Sequence, residues 1–389
     1  MVEWKKLGEV CGIFDGTHQT PKYTDSGIKF VSVENINDLY NSNKYISEED
    51  YNANYKTKPQ RNDVLMTRIG DVGSCAIVVK DEPLAYYVSL ALLRPNSNVI
   101  SGYIKYVLGS HIGKVELRKR TLLTAVPLKI NLGDVGKVCI PIPSLSEQTR
   151  IVEILDTFTS AIDNLKEQIA QRRKQYEYYR DQLLDLEGKP GVEMKRLKDV
   201  FYTRNGYTPS TSKEQFWNDG IIPWFKMEDI RDNGRILSDS YLHITPQAVK
   251  GKGLFKANSI ILATSATIGE HALILVDFLC NQRFTNLSLK ENYMQSVEMK
   301  YVYYYMFVID DWCKQHVNQG GFASVDMTGL YNLSIPVPPL SEQQRIVSIL
   351  DTFEASIQNL EAQLKEREKQ YEYYRNKLLT FEGENEKDS

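Results

Sequence analysis

The sequence predicts an α+β fold in which two mixed α/β domains are joined by two long α-helices, paired as an antiparallel coiled coil with pseudo-twofold symmetry. Three observations indicate this fold. A long helical stretch occurs twice, both copies carry apolar residues at heptad spacing, and the segments before the two copies share a pattern of short strands. The chain therefore reads as globule, helix, globule, helix.

The repeated stretch covers residues 140–188 and 335–383. At a constant offset of 195 residues, 31 of the 49 aligned positions are identical and no gap is needed. With 389 residues, the chain is also longer than a single hydrophobic core usually supports. We therefore predict a first globule at 1–139, a central helical segment at 140–188, a second globule at 189–334, and a C-terminal helical segment with its tail at 335–389.

The first globule is rich in strand patterns. Ile28–Ile36, Asp63–Val79 and Tyr86–Leu93 contain β-branched and aromatic runs bounded by Gly, Asn, Asp and Pro, which is typical of short strands. Ile100–Lys119 has helical spacing and consists mostly of helix formers. Strands followed by a helix predict a mixed α/β domain.

Each long helix is predicted to begin after a proline-containing leader and to end at a glycine. Ser146 and Ser341 are the predicted N-caps, because the second copy reads Ser-Glu-Gln-Gln and fits a capping box. Gly188 and Gly383 come after the last periodic residues and suit the position after a helix C-terminus. About 40 residues lie between these limits, which makes a helix of about 60 Å.

One apolar stripe runs along each helix, with steps that alternate between three and four residues. A single helix cannot bury such a stripe, so the two copies are expected to pair. The spacing fits parallel or antiparallel pairing, and antiparallel pairing gives two equal copies a self-complementary interface. Arg172 and Arg367 occupy stripe positions, where we expect them to pair with acidic residues or to extend to the edge of the coil.

The second globule repeats the strand patterns of the first. EWKKLGEV at residues 3–10 matches EMKRLKDV at 193–200, and NDVLMTRIGDVG at 62–73 matches NSIILATSATIG at 258–269. The loops between these patterns differ. A shared scaffold with different loops predicts two versions of one task with different targets.

Charge and composition narrow the possible classes of protein. The net charge is −3, but residues 1–139 carry about +3 and 189–334 about +1, so the acidic excess lies on the helical segments. Mildly basic globules permit DNA binding without requiring it. Scattered cysteines favour reduced thiols, and we find neither a secretion signal nor an apolar run long enough to span a membrane, so we expect a cytoplasmic protein.

The leaders IPIPSLSEQTRIVEIL and IPVPPLSEQQRIVSIL, the helix ends KQYEYYR, and the strand–glycine patterns together resemble the specificity subunit of type I restriction-modification systems. The resemblance covers almost the whole chain. It implies that each globule is a target recognition domain that reads one half of a bipartite sequence in double-stranded DNA. It also implies that the helices act as a spacer, because a coil of about 60 Å exceeds the roughly 34 Å of one B-DNA turn.

The resemblance places the chemistry in other subunits. Two methylation subunits would dock on this chain, flip an adenine out of the duplex and methylate it with S-adenosylmethionine. Motor and nuclease restriction subunits, which use ATP and Mg²⁺, would complete a restriction enzyme. This chain would itself be non-catalytic, bind no cofactor and work in the cytoplasm of a prokaryote.

In the context of this family, polar and basic residues at the strand exits and loops become candidates for DNA contact. Each also has a simpler explanation: a solvated turn for the loops, an ordinary hairpin for the strand exits, and a solvated patch for the run 118–120. The DNA-binding candidates are Thr17, His18, Gln19, Thr20, Lys22, Lys29, Arg68, Arg94, Arg118, Lys119, Arg120, Tyr207, Thr208, Ser210, Lys213, Lys226, Thr264, Ser265, Gln282 and Arg283.

The repeated EYYR blocks at the helix ends are candidates for docking a partner, because Tyr178 lies off the apolar stripe beside a matched arginine. The alternative is that these rings complete the core of the coil. The partner-docking candidates are Tyr176, Tyr178, Tyr179, Arg180, Tyr371, Tyr373, Tyr374 and Arg375.

Motifs of the main rival functions are missing from the sequence. A methyltransferase would carry a Gly-rich cofactor loop and an Asn/Asp-Pro-Pro-aromatic motif, but the only Pro-Pro pair, Pro338–Pro339, lies between Val337 and Leu340. There is no phosphate-binding GxxxxGK[ST] loop, and the five histidines show no metal-ligand spacing. A coiled-coil scaffold that binds proteins is the first alternative, and an enzyme with a cryptic site is the second.

Overall fold

The fold is described from a computed structural model covering residues 2–318 and 323–381. Contacts group the chain into two compact units. Unit 1 comprises Met1–Glu167 with Glu361–Ser389, and unit 2 comprises Gln168–Leu360. Each unit therefore contains one globule, one part of the first long helix and one part of the second.

Unit 1 is a mixed α/β domain, as predicted. Its strands are β1 (Glu3–Lys6), β2 (Cys11–Asp15), β3 (Ile28–Val31), β4 (Tyr45–Ile46), β5 (Val64–Thr67), β6 (Cys75–Ile77), β7 (Leu84–Tyr86), β8 (Leu90–Pro95) and β9 (Cys139–Ile142). Its shorter helices are α1 (Leu7–Val10), α2 (Glu48–Asn54), α3 (Ser101–Gly109), α4 (His111–Arg118) and α5 (Leu132–Val135). Its sheets have the strand orders β2-β8-β5-β6, β4-β3-β7 and β1-β9.

Several predicted elements of unit 1 are interrupted by local hydrogen bonds. The strand predicted at Ile28–Ile36 ends at Val31, because the Ser32 hydroxyl accepts from the Glu34 N–H and begins a 3-10 turn. The helix predicted at Ile100–Lys119 is two helices, because Ser110 caps α4 by accepting from the Gly113 N–H. Side-chain caps of this kind override the apolar spacing.

Unit 2 repeats this architecture. The first long helix is α6 (Leu145–Leu184), and the next helices are α7 (Leu197–Val200), α8 (Met227–Asn233), α9 (Met299–Gln315) and α10 (Met327–Asn332). The strands are β10 (Glu193–Arg196), β11 (Phe201–Asn205), β12 (Ile222–Phe225), β13 (Ile236–Leu237), β14 (His243–Ile244), β15 (Ser259–Ala263), β16 (His271–Ile274), β17 (Leu279–Cys280), β18 (Phe284–Leu289), β19 (Val317–Asn318), β20 (Ser324–Val325) and β21 (Ser334–Val337). The sheets have the orders β11-β18-β15-β16-β13, β14-β12-β17, β10-β21 and β19-β20.

The second long helix is α11 (Leu340–Leu379), and both long helices contain 40 residues, which confirms their predicted length. The predicted N-caps are wrong. α6 begins at Leu145, where the Ser144 hydroxyl accepts from the Glu147 N–H, so Ser146 lies inside the first turn. Ser341 likewise lies inside α11.

The predicted C-terminal stop of α6 is also wrong. α6 ends at Leu184, and Gly188 adopts a left-handed conformation (φ 74°) in the next turn of the chain instead of capping the helix directly. Gly383 and the rest of the tail, residues 382–389, lie outside the described residues.

The long helices run antiparallel, which confirms the predicted fold class. In unit 1, Phe158 stacks on Tyr374, and further along α6 Lys166 lies 3.6 Å from Glu368, earlier in α11. In unit 2, Leu184 near the end of α6 and Leu350 near the start of α11 belong to one hydrophobic core. In unit 1, Ile151 and Leu155 of α6 and Leu379 of α11 likewise belong to one core, so the helices form part of the hydrophobic cores of both globules.

The arginines within the apolar stripe lie over aromatic rings. The Arg172 guanidinium lies 5.9 Å from the ring centre of Phe353, and Arg367 lies 5.8 Å from that of Phe158. Arg367 also donates to the Gln370 side chain. Each arginine thus contacts the other helix through an aromatic ring, by a cation–π interaction, where the sequence suggested an acidic partner or a position at the edge of the coil.

A buried glutamine fastens each long helix to its globule. Gln148 is fully buried; its Oε1 accepts from the Ile100 N–H, and its Nε2 donates to Asn98 O and Pro143 O. Gln343 repeats all three bonds in unit 2, with Glu298 N–H, Ser296 O and Pro338 O. The two glutamines occupy matching positions of the repeat, so both units share this attachment.

Two tyrosines reinforce the same junction in each unit. The hydroxyl of Tyr103 donates to Pro141 O, and that of Tyr301 donates to Pro336 O. On the next turn, Tyr106 and Tyr304 each donate to an aspartate of a long helix, Asp156 and Asp351. The orientation of each globule on the helix parts within its unit is therefore set by buried, directional hydrogen bonds.

All five cysteines are free thiols. Burial raises the pKa of Cys75, and of Cys313, to about 12, so these groups stay protonated at neutral pH.

Candidate nucleic-acid interface and helix surfaces

In unit 1 the candidate loop Thr17–Lys22 comes after β2 and is held at its base by Asp15. The Asp15 carboxylate accepts from the Arg68 guanidinium at 2.6 Å and lies 2.8 Å from His18 Nε2. The Arg68 Nε also donates to Val88 O. This network fixes the point at which the loop leaves the sheet.

Arg68 is therefore placed differently from the surface position that the sequence suggested. It is buried, and its charged group is used by Asp15 and by the backbone. By contrast, His18, Gln19, Thr20 and Lys22 are exposed. The structure thus makes Arg68 a support for the loop, while the exposed side chains remain the groups that could reach a ligand.

Two other candidates lie away from this loop. The ladder between β2 and β8 pairs Asp15 with Ala91 and Gly12 with Arg94, so Arg94 lies toward the other end of the ladder, about 10 Å away at about 3.3 Å per residue. There Arg94 forms two hydrogen bonds with the Asp63 carboxylate. Lys29 donates to Tyr40 O. Both cations are thus occupied in structural contacts, and Arg94 lies away from the loop.

The basic run at residues 118–120 is partly neutralised. Glu116 accepts from Lys119 and Arg120, each at 2.7 Å, and from the Cys139 N–H. Burial acts to raise the pKa of Glu116, but Lys119 and the Cys139 N–H outweigh it and hold that pKa below its usual value. Arg118 is exposed.

A hairpin that the sequence reasoning did not single out comes directly after this run. Leu122 pairs with Lys129, and the Gly70 N–H donates to Leu128 O, so the hairpin lies against the turn between β5 and β6. Its tip exposes large apolar side chains, with Val126 99% exposed. An apolar run beside three basic residues was the available signal, but its position next to the Arg68 turn depends on long-range pairing.

In unit 2 the candidates converge more closely. The Thr208 hydroxyl donates to the Gln282 side chain at 2.6 Å, and the Tyr207 N–H donates to Cys280 O. The Thr264 N–H donates to Arg283 O, which brings the exit of β15 to the same place. These residues come from three separate loops.

The remaining candidates of unit 2 lie around this group. Ser265 bridges to Ser324, and Ser210 lies 2.9 Å from Ser212. Lys213 lies over the Phe216 ring at 5.2 Å. Lys226 precedes α8, next to Phe225, whose carbonyl accepts from the Asn281 N–H. Thr264 is buried, whereas Gln282 and Arg283 are exposed and offer donors to a ligand.

In each unit, the surface that carries the candidate loops is called here the recognition face. Both units join this face to the sheet in the same way. In unit 1 the Ile130 N–H donates to Arg68 O, and in unit 2 the Val325 N–H donates to Thr264 O. In each case a segment that comes after a helix joins the exit of a central strand. The two units thus share the backbone scaffold of the recognition face, whereas the side chains on that face differ between them.

The EYYR blocks at the helix ends split into covered and exposed residues. Tyr176 donates to Glu354, and Arg180 lies 4.8 Å from the Phe307 ring. Tyr371 packs edge-on against Tyr106, and the side chain of Arg375 is largely covered. The more exposed members are Tyr178, Tyr179, Tyr373 and Tyr374. Of these, Tyr179 stacks on Phe353 and Tyr374 stacks on Phe158, so each of these two rings has one face covered.

Within the described residues, no group of three or more His, Cys, Asp or Glu side chains is arranged to hold a metal ion. A search of the same residues for a helix that is both long and apolar enough to span a membrane finds none.

Comparison with known proteins identifies the family of this chain. A profile described as the type I restriction modification DNA specificity domain matches residues 1–172 and 190–368. The EcoprrI specificity subunit of Escherichia coli, a type I restriction enzyme subunit, is 48% identical over 216 residues, covering 52% of this chain and 53% of that protein. The EcoR124I/EcoR124II specificity subunit of Escherichia coli is 39% identical over 264 residues, covering 63% of each. The aligned stretches thus span less than two thirds of either relative.

Solved structures share the fold. The S subunit of a type I restriction-modification system from M. genitalium aligns with a TM-score of 0.58 and 14% identity, covering 98% of this chain and 97% of that chain. A chain from work on complex assembly and conformational transition of the type I R-M system aligns with a TM-score of 0.63 and 18% identity, covering 97% and 96%. Because the family profile matches both halves and most of the sequence, this chain belongs to the family of type I restriction-modification DNA specificity domains.

Proposed function

We propose that this chain is the DNA sequence-recognition subunit of a type I restriction-modification complex, and that each unit reads one half of a bipartite target. One observation supports the proposal above all. Both units present polar residues after corresponding strands, β2 and β11, with His18 and Gln19 in unit 1 and Thr208 in unit 2. Unit 2 adds Gln282 and Arg283 from the loop between β17 and β18. Amide and hydroxyl groups of this kind can read base edges in the major groove.

The long helices set the separation of the two half-sites and dock two methylation subunits. The tyrosine pairs Tyr178–Tyr179 and Tyr373–Tyr374 support this role, because they occur at matching positions of the repeat and stay 40–59% exposed. The methylation subunits bind S-adenosylmethionine and methylate adenine. Restriction subunits that use ATP and Mg²⁺ complete the complex.

This chain contributes specificity and no catalysis, and it works in the prokaryotic cytoplasm where its DNA target lies. The missing cofactor and phosphate-binding motifs support a non-catalytic role. A coiled-coil scaffold that binds only proteins is the main alternative, and it predicts no sequence-selective DNA binding.

The decisive experiment is methylome sequencing of cells that express this chain with its methylation subunit. We expect adenine methylation on both strands of a two-part motif with an unread gap. Cells that express the methylation subunit alone provide the control. An ungapped motif, or no new methylation with an active methylation subunit, would contradict the proposal.

The spacer role has its own test. Insertion of four residues, about one helical turn, in the middle of α6 should change the length of the gap and leave the bases of the half-sites unchanged. A change in the half-site bases would show that the helices take part in reading.

A further inference from the structure

A partly apolar groove lies where α6 ends in unit 2. Its volume is about 460 Å³, within the usual range for pockets that accept a ligand group. Leu184 at the end of α6 and Leu186 just after it line the groove, and Tyr305 and Phe307 line it from α9. The groove is open to solvent, because Met194 and Val308 on its walls are 39% and 41% exposed.

Carboxylates surround this apolar lining. Asp181, Asp185, Glu187 and Asp311 all lie along the groove. Asp181 pairs with Arg180, and Asp311 pairs with Lys314. Across residues 2–318 and 323–381, Asp185 and Glu187 form no ion pair, so their charges stay available.

The two unpaired carboxylates act on the groove itself. Burial first, and then the charges of Glu187 and Asp185, raise the pKa of Tyr305 to about 12. The negative charges of Asp185 and Glu187 therefore act at the Tyr305 ring that lines the groove. The same charges favour a cation in the groove.

The second copy of the repeat shows that these acids are not needed for the helix end to fold. Arg180 and Leu184 recur as Arg375 and Leu379, whereas Asp181 and Asp185 are replaced by Asn376 and Thr380. In unit 1 the Asn376 side chain is used internally, because it accepts from the His111 N–H. The two aspartates are thus particular to the first copy, whereas Glu187 recurs as Glu382.

We propose that this groove receives a cationic segment of a methylation subunit. A large apolar side chain of that segment enters between Met194 and Val308, and flanking Lys or Arg side chains meet Asp185 and Glu187. The inference rests on the proposed function, since it requires a methylation subunit as partner. Because unit 1 lacks the two aspartates, the groove serves one of two docking positions and makes the two unequal.

The test removes the two unpaired carboxylates, Asp185 and Glu187. The variant Asp185→Thr/Glu187→Gln is titrated with purified methylation subunit by calorimetry, and complexes are counted by native mass spectrometry. We expect two binding steps for the unaltered chain. In the variant, one step should weaken about tenfold at 0.1 M salt and lose part of its salt dependence, while the other step stays unchanged.

A matched control removes two other exposed carboxylates from the same helix. Glu153→Ser/Asp163→Gln borrows the residues of the second copy and changes the net charge equally. This control variant should leave the affinity and the salt dependence of both binding steps unchanged. Equal weakening in the control, or two unchanged steps in the test variant, would overturn this inference and leave the proposed function standing. Failure of the unaltered chain to bind any methylation subunit would overturn both.

Discussion

The two units share their attachment to the long helices and differ in the groups that they present to solvent. Gln148 and Gln343 make the same three hydrogen bonds, and Tyr103 and Tyr301 bond to equivalent proline carbonyls. The recognition faces instead rest on unlike supports. Residues that hold a domain on its helix are constrained by buried backbone partners, whereas exposed loop residues have no such constraint.

The support of the face illustrates the difference. Unit 1 holds its loop through the buried ion pair of Arg68 with Asp15. Unit 2 has Thr264 at the corresponding strand exit, 3.0 Å from the Thr285 hydroxyl, and no charge is required there. One scaffold therefore tolerates a charged or a neutral support, which allows the loops to differ without changing the fold.

A second difference lies inside the units. The first residue of β16 is His271, whose Nδ1 lies 2.7 Å from Asp310, and Arg235 donates to the same carboxylate. The first residue of β6 in unit 1 is Cys75. Unit 1 therefore has an uncharged thiol where unit 2 places the histidine of its buried cluster.

Breaking that cluster should have the largest effect. Asp310→Ala removes the carboxylate that faces His271 and accepts from Arg235, and it should lower the free energy of unfolding of unit 2 by about 3–5 kcal/mol. Unfolding can be followed by tryptophan fluorescence, because Trp217, Trp224 and Trp312 lie in unit 2.

The neighbouring Asp311→Ala provides the control for this cluster. Asp311 forms only an exposed ion pair with Lys314, so its loss should cost at most about 0.5–1 kcal/mol. Equal decreases in the free energy of unfolding for the two variants would show that the buried cluster stabilises unit 2 no more than the exposed ion pair does.

The shared attachment should give a smaller, symmetric effect. Gln148→Ala and Gln343→Ala each leave buried backbone groups without partners and should cost about 2–3 kcal/mol in their own unit. Calorimetric unfolding of each variant gives the comparison. Thr149→Ala, an exposed change on the next residue of α6, should cost less than about 1 kcal/mol. Clearly unequal losses for the two glutamines would mean that the two attachments are not equivalent.

The recognition faces should give the smallest and most selective effects. Gln19→Ala should relax methylation specificity at one base of the first unit's half-site by about 1–2 kcal/mol, and Gln282→Ala should do the same only in the other half-site. Methylation assays on targets with single base changes measure both.

Gln60→Ala provides the control for the faces. Gln60 is exposed beside Asp63, at the end of the scaffold that lies away from the loop, so its loss should change neither half-site. A variant of Gln19 that altered both half-sites would contradict the assignment of one half-site to each unit.

The sequence by itself determined the repeated helices, their length, the shared strands and the family, because heptad spacing and strand alternation are local patterns that leave few alternatives. It also located the polar loops of both faces. The role of each candidate in DNA contact or partner docking stays a prediction.

Only the tertiary structure decided how individual side chains are used. Arg68 is paired with a residue 53 positions away, Gln148 bonds to backbone 48 and 50 positions away, and the stripe arginines lie over phenylalanines of the other helix. A polar or charged residue has many possible partners, and its choice depends on which distant segments the fold brings within hydrogen-bond distance. The ends of α6 show the same dependence on context. Ser144, and not the predicted Ser146, caps the start of the helix, and the left-handed turn at Gly188 lies beyond its end.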